Sequence, residues 1–347
     1  MIHYMRNKIT IQDIANEVGM SKYAVSRALS GKSGVSPETR QYIVQSAEQL
    51  GYFKGKPLTK FYSPIVEIPS ETWTGTILVL FPNIPYQDTE SLYWGPLFNG
   101  ISTRLSQKGV NILTLTEPPN DSIFSLLNPD AIKGIITLGS IATSILLDIQ
   151  SLNIPIIMVD HLDSNLQCDT IFSDNMIAIQ QIMKQLISDG YRKYQFIGKI
   201  HDAQSFNERW LAYRTALEDH NIELNQNPIL ISPTLEHIQD AILEAVQQDG
   251  IPEVFVCAND TTAMFAIEAL NSMGIQVPRD CILTGFDYTY PELPLYATAN
   301  VNKEIIGSRA VDQLFWRIIN PNQPYERKLL SAELILNRQY SKPLQKT

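Results

Sequence analysis

The chain has 347 residues, 44% of them hydrophobic and 18% charged, with a formal net charge of −9. That length allows two or three domains with a large core, and that balance excludes a disordered chain. The opening MIHYMRNK has no apolar run of signal-peptide type, and no stretch approaches the roughly 18 apolar residues of a membrane span. The three scattered cysteines (Cys168, Cys257, Cys281) lack disulfide or metal spacing. A cytoplasmic protein with reduced thiols, no metal, no cofactor and no membrane partner is expected.

The stretch Thr10–Gly51 predicts three short helices. Thr10 caps the first, with Asp13 three residues on and an apolar stripe of Ile11, Ile14, Ala15 and Val18 before Gly19. Ser21 caps the second. Val25, Ala28 and Leu29 face its interior, which leaves Lys22, Tyr23, Ser26 and Arg27 outward. Ser36-Pro37-Glu38 opens the third, striped by Ile43, Val44, Ala47 and Leu50 and closed by Gly51. Two helices joined across a glycine-containing turn, the second with a polar and basic face, have helix-turn-helix geometry. Charge supports a DNA partner. Residues 1–60 hold nine Lys/Arg against four Asp/Glu, a net of +5, so the other 287 residues carry −14. A basic module on an acidic body suits a phosphate backbone.

Residues 53–74 read as a linker, with prolines at 57, 64 and 69. Between two of them, Pro57–Ser63 has room for under two helical turns. Leu58 or Phe61 there serves either as a minor-groove wedge paired across a dimer or as a tether packed on the body.

From Gly75 the pattern alternates between apolar runs and amphipathic helices. Strands are expected at 76–81, 110–115, 132–138 and 154–159, then at 194–197, 229–231, 254–258 and 281–284. Helices are expected near 94–108, 175–189, 205–220, 235–249 and 260–273. The fold class is therefore an all-α helix-turn-helix head followed by α/β, with two doubly wound parallel-sheet subdomains and a ligand cleft between them. Asp160, Asn259 and Asp287 follow strands directly, and Arg209 lies near a helix start after another strand. Two carboxylates, an amide and a guanidinium suit a polyhydroxylated ligand, whose hydroxyls both donate and accept. No further Lys/Arg cluster is expected near these four positions, which favours a neutral saccharide over a phosphosugar. Arg209 is read as a ligand contact ahead of a structural ion pair, Asp260 as the cap of the following helix, and Asp174 and Asn175 as helix-start residues. Tyr86, Tyr93, Trp94 and Phe172 are open between stacking on a sugar ring and filling the core. No histidine or cysteine has ligand spacing and no nucleophile motif occurs, so no catalytic residue and no enzyme is read.

Several motifs in order carry a resemblance. T-I-Q-D-I-A, G-M-S, V-S-R-A-L-S and V-S-P-E-T-R in the head resemble the lactose/galactose repressor (LacI/GalR) family. So do I-P-I-I-M-V-D ending at Asp160, S-D-N at 173–175, N-E-R-W-L-A-Y-R at 207–214, C-A-N-D at 257–260 and T-G-F-D at 284–287. The resemblance implies that Lys22, Tyr23 and Arg27 read base edges and that Ser21 and Ser26 grip phosphate, with Thr10 and Lys32 in the same DNA-binding set. It implies that Asp160, Arg209, Asn259 and Asp287 hold effector hydroxyls, with Phe172, Tyr86 and Trp94 around them. The linker departs from the family's hinge pattern, because its Asn and Ala-Arg are absent. The implied domains are a head at 1–52, a linker at 53–74 and an effector and dimerisation domain at 75–345. Within the last, subdomain one covers about 75–172 and 303–330, and subdomain two about 173–302 and 331–341. The implied function is a homodimeric repressor of a carbohydrate-utilisation operon on a pseudo-palindromic operator, with a mono- or oligosaccharide effector. The alternative is a cytoplasmic sugar sensor with weak or lost operator binding. The short tail 341–347 shows no leucine heptad, so a dimer is expected rather than a tetramer.

Overall fold

The computed structural model describes residues 9–30, 34–50, 52, 73–82, 89–116 and 129–340. The chain divides into two compact units, 1–69 with 319–324 and 70–318 with 325–347. Gly51, Lys32, Leu58, Phe61, Tyr86 and the tail 341–347 lie outside the described residues.

The first unit holds three helices, α1 (Ile11–Val18), α2 (Lys22–Leu29) and α3 (Pro37–Gln49). α1 starts on a capping box. Asp13 N–H donates to Thr10 Oγ1 at 3.3 Å, and Thr10 N–H donates back to Asp13 Oδ2 at 2.7 Å. Gly19 ends the helix at φ +65°, a left-handed turn that glycine makes without strain. Ser21 Oγ caps α2 by accepting from Ala24 N–H at 3.2 Å, and Ser36 Oγ caps α3 through Thr39 N–H at 3.1 Å. Ile14, Ala15, Val18, Val25, Ala28, Leu29, Ile43 and Ala47 form one buried core at the spacing the helical stripes require.

The second unit contains two sheets. In the first, β1 (Thr76–Phe81), β2 (Asn111–Thr116), β3 (Ile132–Leu138), β4 (Ile156–Val159), β5 (Asp169–Ser173) and β10 (Arg327–Leu330) run in the order β10-β5-β4-β3-β1-β2, with every pairing parallel. In the second, β6 (Tyr194–Ile197), β7 (Val254–Cys257), β8 (Ile282–Thr284), β9 (Ala297–Asn300) and β11 (Glu333–Leu336) run β11-β9-β8-β7-β6. Only β11 is antiparallel, against β9. Helices α4 (Trp94–Gln107), α5 (Thr143–Ser151), α6 (Asn175–Ser188), α7 (Gln204–Asp219), α8 (Ile238–Asp249), α9 (Asp260–Ser272) and α10 (Lys303–Ile319) connect the strands. The chain passes between sheets three times, after β5, after β9 and after β10.

The strand expected at 229–231 is instead part of a 3₁₀ turn, Pro228–Ile231. Asn227 caps that turn by accepting from Ile229 N–H at 3.0 Å, and Pro228 sits at its first position, so the apolar triplet is wound rather than extended. The edge of β6 is covered another way: Gln226 accepts from Phe196 N–H at 2.8 Å and donates to Phe196 O at 3.0 Å.

Where α4 and α10 cross, glycine is a steric requirement. A Cβ on Gly307 would lie 2.0 Å from Leu97 O, and one on Gly100 would lie 2.1 Å from Glu304 O. Two backbones that close admit no side chain between them.

Candidate DNA interface and effector cleft

α2 carries an exposed polar face. Ser21, Lys22, Tyr23 and Ser26 are exposed and Arg27 is half-buried. Arg27 Nη1 donates to Tyr23 Oη at 2.7 Å, one turn back, and the guanidinium lies 5.3 Å from the centre of that ring. The pair fixes a planar, forked donor against an aromatic edge, the arrangement that matches guanine O6/N7 in a major groove. Thr10 is engaged in the cap of α1: its hydroxyl donates to Asp13 Oδ2 at 2.7 Å, and that bond and the Thr10 N–H hold the Asp13 carboxyl below the usual range. One head residue went unread in the sequence. Arg40 Nη1 donates to Ala28 O at 2.7 Å and Arg27 O at 3.3 Å, so α3 clamps the C-terminal carbonyls of α2.

One cluster of charged side chains in the second unit lies beyond the carboxyl ends of strands from both sheets. Asp160 follows β4 at φ +55° and Asp287 follows β8 at φ +89°, two non-glycine residues in the left-handed region. Arg209, on α7, is 2% exposed. Its Nε donates to Asn175 Oδ1 at 2.9 Å, its Nη1 to Ala258 O at 2.8 Å and its Nη2 to Asp287 Oδ1 at 3.2 Å. Its guanidinium lies 3.6 Å from the centre of the Phe286 ring. Asn175 Nδ2 donates to Glu208 Oε2 at 2.9 Å, and Arg327 of β10 pairs with Glu208 Oε1. Lys303, at the start of α10, donates to Asp287 O at 2.5 Å and lies 5.9 Å from the Tyr93 ring, and burial lowers its ammonium pKa. Tyr93 Oη donates to Asp160 Oδ2 at 3.4 Å, whereas Asp160 Oδ1 is shut from solvent without a hydrogen-bond partner among the described residues.

Burial, opposed in part by Arg209 and reinforced by Asp287 and Glu208, pushes the Asp160 carboxyl up to about 7 from 3.8. A carboxyl raised on folding costs stability as pH climbs between those two values, and the cost is complete above about 7. Asp160→Asn keeps the tolerance for positive φ and removes the charge. It is expected to melt above wild type at pH 8, with the gap closing toward pH 5. Equal gaps at both values would show that the carboxyl ionises normally.

Several expected residues fall elsewhere. Asn259, not Asp260, caps α9, accepting from Thr262 N–H at 2.9 Å. Asp260 is fully buried. It accepts from Thr298 Oγ1 at 2.8 Å and from Thr289 N–H at 2.7 Å, so it anchors the loop that carries Asp287. A Cβ on Gly285 would meet its Oδ1 at 2.0 Å. Trp94 is buried at the start of α4, edge-on to Tyr93 at 4.9 Å, and Tyr93 rather than Trp94 reaches Asp160. Phe172 is fully buried in β5, with the Arg327 guanidinium 4.7 Å from its ring centre. Asp174 caps α6 as expected, through Ile177 N–H at 3.1 Å. Asn175 is drawn into the Arg209 cluster instead of serving only the helix start. The expectation of no further Lys/Arg near the cleft is corrected by Lys303 and Arg327, which arrive from the far end of the chain.

Comparison with known proteins matches residues 10–54 to the model for bacterial regulatory proteins of the lacI family. Residues 183–338 match the periplasmic binding protein-like domain. The HTH-type transcriptional regulator GalR of Lacticaseibacillus casei is 28% identical over 346 residues, covering 94% of this chain and 98% of that protein. The ribose operon repressor of Haemophilus influenzae is 26% identical, covering 94% and 97%. The chain therefore carries a lacI-type helix-turn-helix head and a periplasmic-binding-protein-like domain, and the relatives it resembles over most of its length are LacI/GalR regulators. Its fold is also that of a solved transcriptional regulator, the CelR–cellobiose complex, with a TM-score of 0.68 at 20% identity over 94% of this chain and 98% of that one. The head and the relatives are those of DNA-binding transcriptional regulators, not of enzymes. No described helix is long and apolar enough to cross a membrane.

Proposed function

We propose that this regulator is a cytoplasmic homodimer that represses a carbohydrate-utilisation operon, binds a pseudo-palindromic operator through α2, and changes operator affinity when a neutral saccharide occupies the cleft. The observation that carries the effector class is charge balance. Arg209, Lys303 and Arg327 stand against Asp160, Glu208 and Asp287, and each cation is engaged by a protein acceptor. A phosphosugar would need uncommitted positive charge, whereas hydroxyls need mixed donors and acceptors. The names of the relatives point the same way for those proteins, a ribose operon repressor and a cellobiose complex.

A thermal-shift screen of the full chain against sugars, sugar phosphates and purines tests the effector. A hit is expected among neutral sugars, raising the melting temperature by mass action, and is expected to vanish in Asp160→Asn. A shift with sugar phosphates or purines alone overturns the class. For the head, Arg27→Ala is expected to cost about 1–3 kcal/mol of discrimination at one base position while leaving non-specific affinity nearly unchanged. Footprinting and salt-controlled titration read both quantities. An equal loss on all sequences would make Arg27 a phosphate contact, and no footprint on any upstream site would favour a sensor without an operator.

A further inference from the structure

The α/β unit has two halves, the first sheet with α4, α5 and α10 and the second sheet with α6–α9. The chain crosses between them at 174, at 301–302 and at 331–332. Two cations of the first half reach over beside these crossings. Arg327 of β10 pairs with Glu208 Oε1 on α7, and its guanidinium lies 4.7 Å from the centre of the Phe172 ring, just before the first crossing. The third crossing is tied to the first at the same place, where Asp174 N–H donates to Leu330 O at 2.8 Å. At the second crossing, Lys303 of α10 donates to Asp287 O, in the loop after β8, at 2.5 Å.

The acceptors that meet these two cations belong to one run of bonds. Glu208 Oε2 accepts from Asn175 Nδ2 at 2.9 Å, and Asn175 Oδ1 accepts from Arg209 Nε at 2.9 Å. Arg209 Nη2 then donates to Asp287 Oδ1 at 3.2 Å. The sequence Arg327, Glu208, Asn175, Arg209, Asp287, Lys303 therefore begins and ends on the first half, with its four middle members on the second. Asn175 is 1% exposed and Arg209 2% exposed, so water neither screens these bonds nor replaces them. Two properties make the run stiff. Asn175 spends its amide in both directions, as donor to one neighbour and acceptor from the other. The guanidinium holds Nε and Nη2 in one rigid plane, so a tilt that relaxes one of its bonds displaces the other.

We propose that Arg327 and Lys303 are coupled fasteners between the two halves, with Asn175 and Arg209 carrying the coupling, so that loosening one side loosens the other. Coupling of this kind is reciprocal. Asn175 is then a positioning residue, acting through Glu208 and Arg209, and the halves part as one motion rather than crossing by crossing. The device depends on no particular ligand.

Hydrogen exchange of the full-length, ligand-free protein tests it, read by mass spectrometry on peptides containing Asp174 and Asp287. Their N–H groups are bonded to Leu330 O at 2.8 Å and to Ala299 O at 2.9 Å, one beside each fastener. The proteins compared are wild type, Arg327→Gln and Lys303→Met, and all three again with Asn175→Ala. Arg327→Gln removes an ion pair whose side chains are 40% and 11% exposed, worth roughly a two- to fivefold change in local opening. Faster exchange is expected at Asp174 and also at Asp287, across the cleft, and Lys303→Met is expected to give the mirror pattern. Peptides from β3 and β7 are expected to exchange as in wild type. Asn175→Ala leaves Arg209 its bonds to Ala258 O and Asp287, and leaves Glu208 its bonds from Gln204 and Arg327. In that background each cation substitution is expected to act on its own side alone. Exchange that rises only beside the substituted cation overturns the coupling, and no rise anywhere shows that the two pairs fasten nothing. An equal rise in β3 and β7 marks a general loss of stability and overturns the proposal as well. Cross-effects that persist in Asn175→Ala overturn the route through Asn175 and Arg209.

Discussion

Arg317→Ala is expected to destabilise the α/β unit by about 3–5 kcal/mol, the usual cost of stripping one partner from a buried ion pair. Arg317 of α10 is 4% exposed and Asp169 of β5 fully buried. The pair is forked, Nε to Oδ2 at 2.8 Å and Nη2 to Oδ1 at 2.7 Å, and Glu326 N–H adds a third bond to Oδ1 at 2.7 Å. Removing the guanidinium leaves a carboxylate in the interior with a single backbone donor. Urea unfolding followed by tryptophan fluorescence measures the loss. Arg317→Lys is expected to recover little, because an ammonium presents no fork. A loss below 1 kcal/mol would mean that water reaches Asp169.

The second large effect concerns Arg209 and Asp287. Arg209→Met is expected to abolish the effector response and to destabilise the fold by about 3–5 kcal/mol, since the Asp287 carboxylate then loses its buried ion-pair partner. Adding Asp287→Asn removes that charge and keeps a residue tolerant of φ +89°. The double variant is therefore expected to lose less than the sum of the two single losses, by a coupling of about 0.5–3 kcal/mol, yet to stay unresponsive to effector. Melting curves and the saccharide screen read the two properties separately. Additive stability losses would show that Asp287 does not depend on Arg209. A restored effector response would move ligand recognition away from this pair.

Much of this architecture was legible because its signals are local. The runs at 76–81 and 132–138 are continuous apolar stretches, and the three head helices carry their own caps, so pattern and structure agree there. β5, β9, β10 and β11 were missed. Asp169-Thr-Ile-Phe-Ser173 opens on a charge that belongs in the interior only because Arg317 arrives 148 residues later. Ala297–Asn300 is half small and half polar, and Arg327–Leu330 is an exposed edge. The cleft divides in the same way. Asp160 and Asp287 follow strands that periodicity marks, Arg209 lies on the helix after another, and the fold brings the three together. Lys303 and Arg327 joined them without warning, since no spacing within a sequence reveals which distant cation a crossover returns. The swapped roles of Asn259 and Asp260 show a finer limit. Both residue types cap helices, and only the position of Thr298 and of the loop at 289–290 decides which one is drawn inward.

The placement of β10 and β11 also bears on how the protein is made. Both sheets receive a strand from the last stretch of the described chain, β10 beside β5 and β11 beside β9. A nascent chain that has emerged only as far as β9 has the helix-turn-helix head complete, because its caps and core are all encoded before residue 53. Its first sheet, by contrast, still shows the open edge of β5 and an Asp169 carboxylate without its guanidinium. Vectorial synthesis therefore completes the helix-turn-helix head well before the α/β unit, whose first sheet keeps an open, aggregation-exposed edge until β10 has emerged.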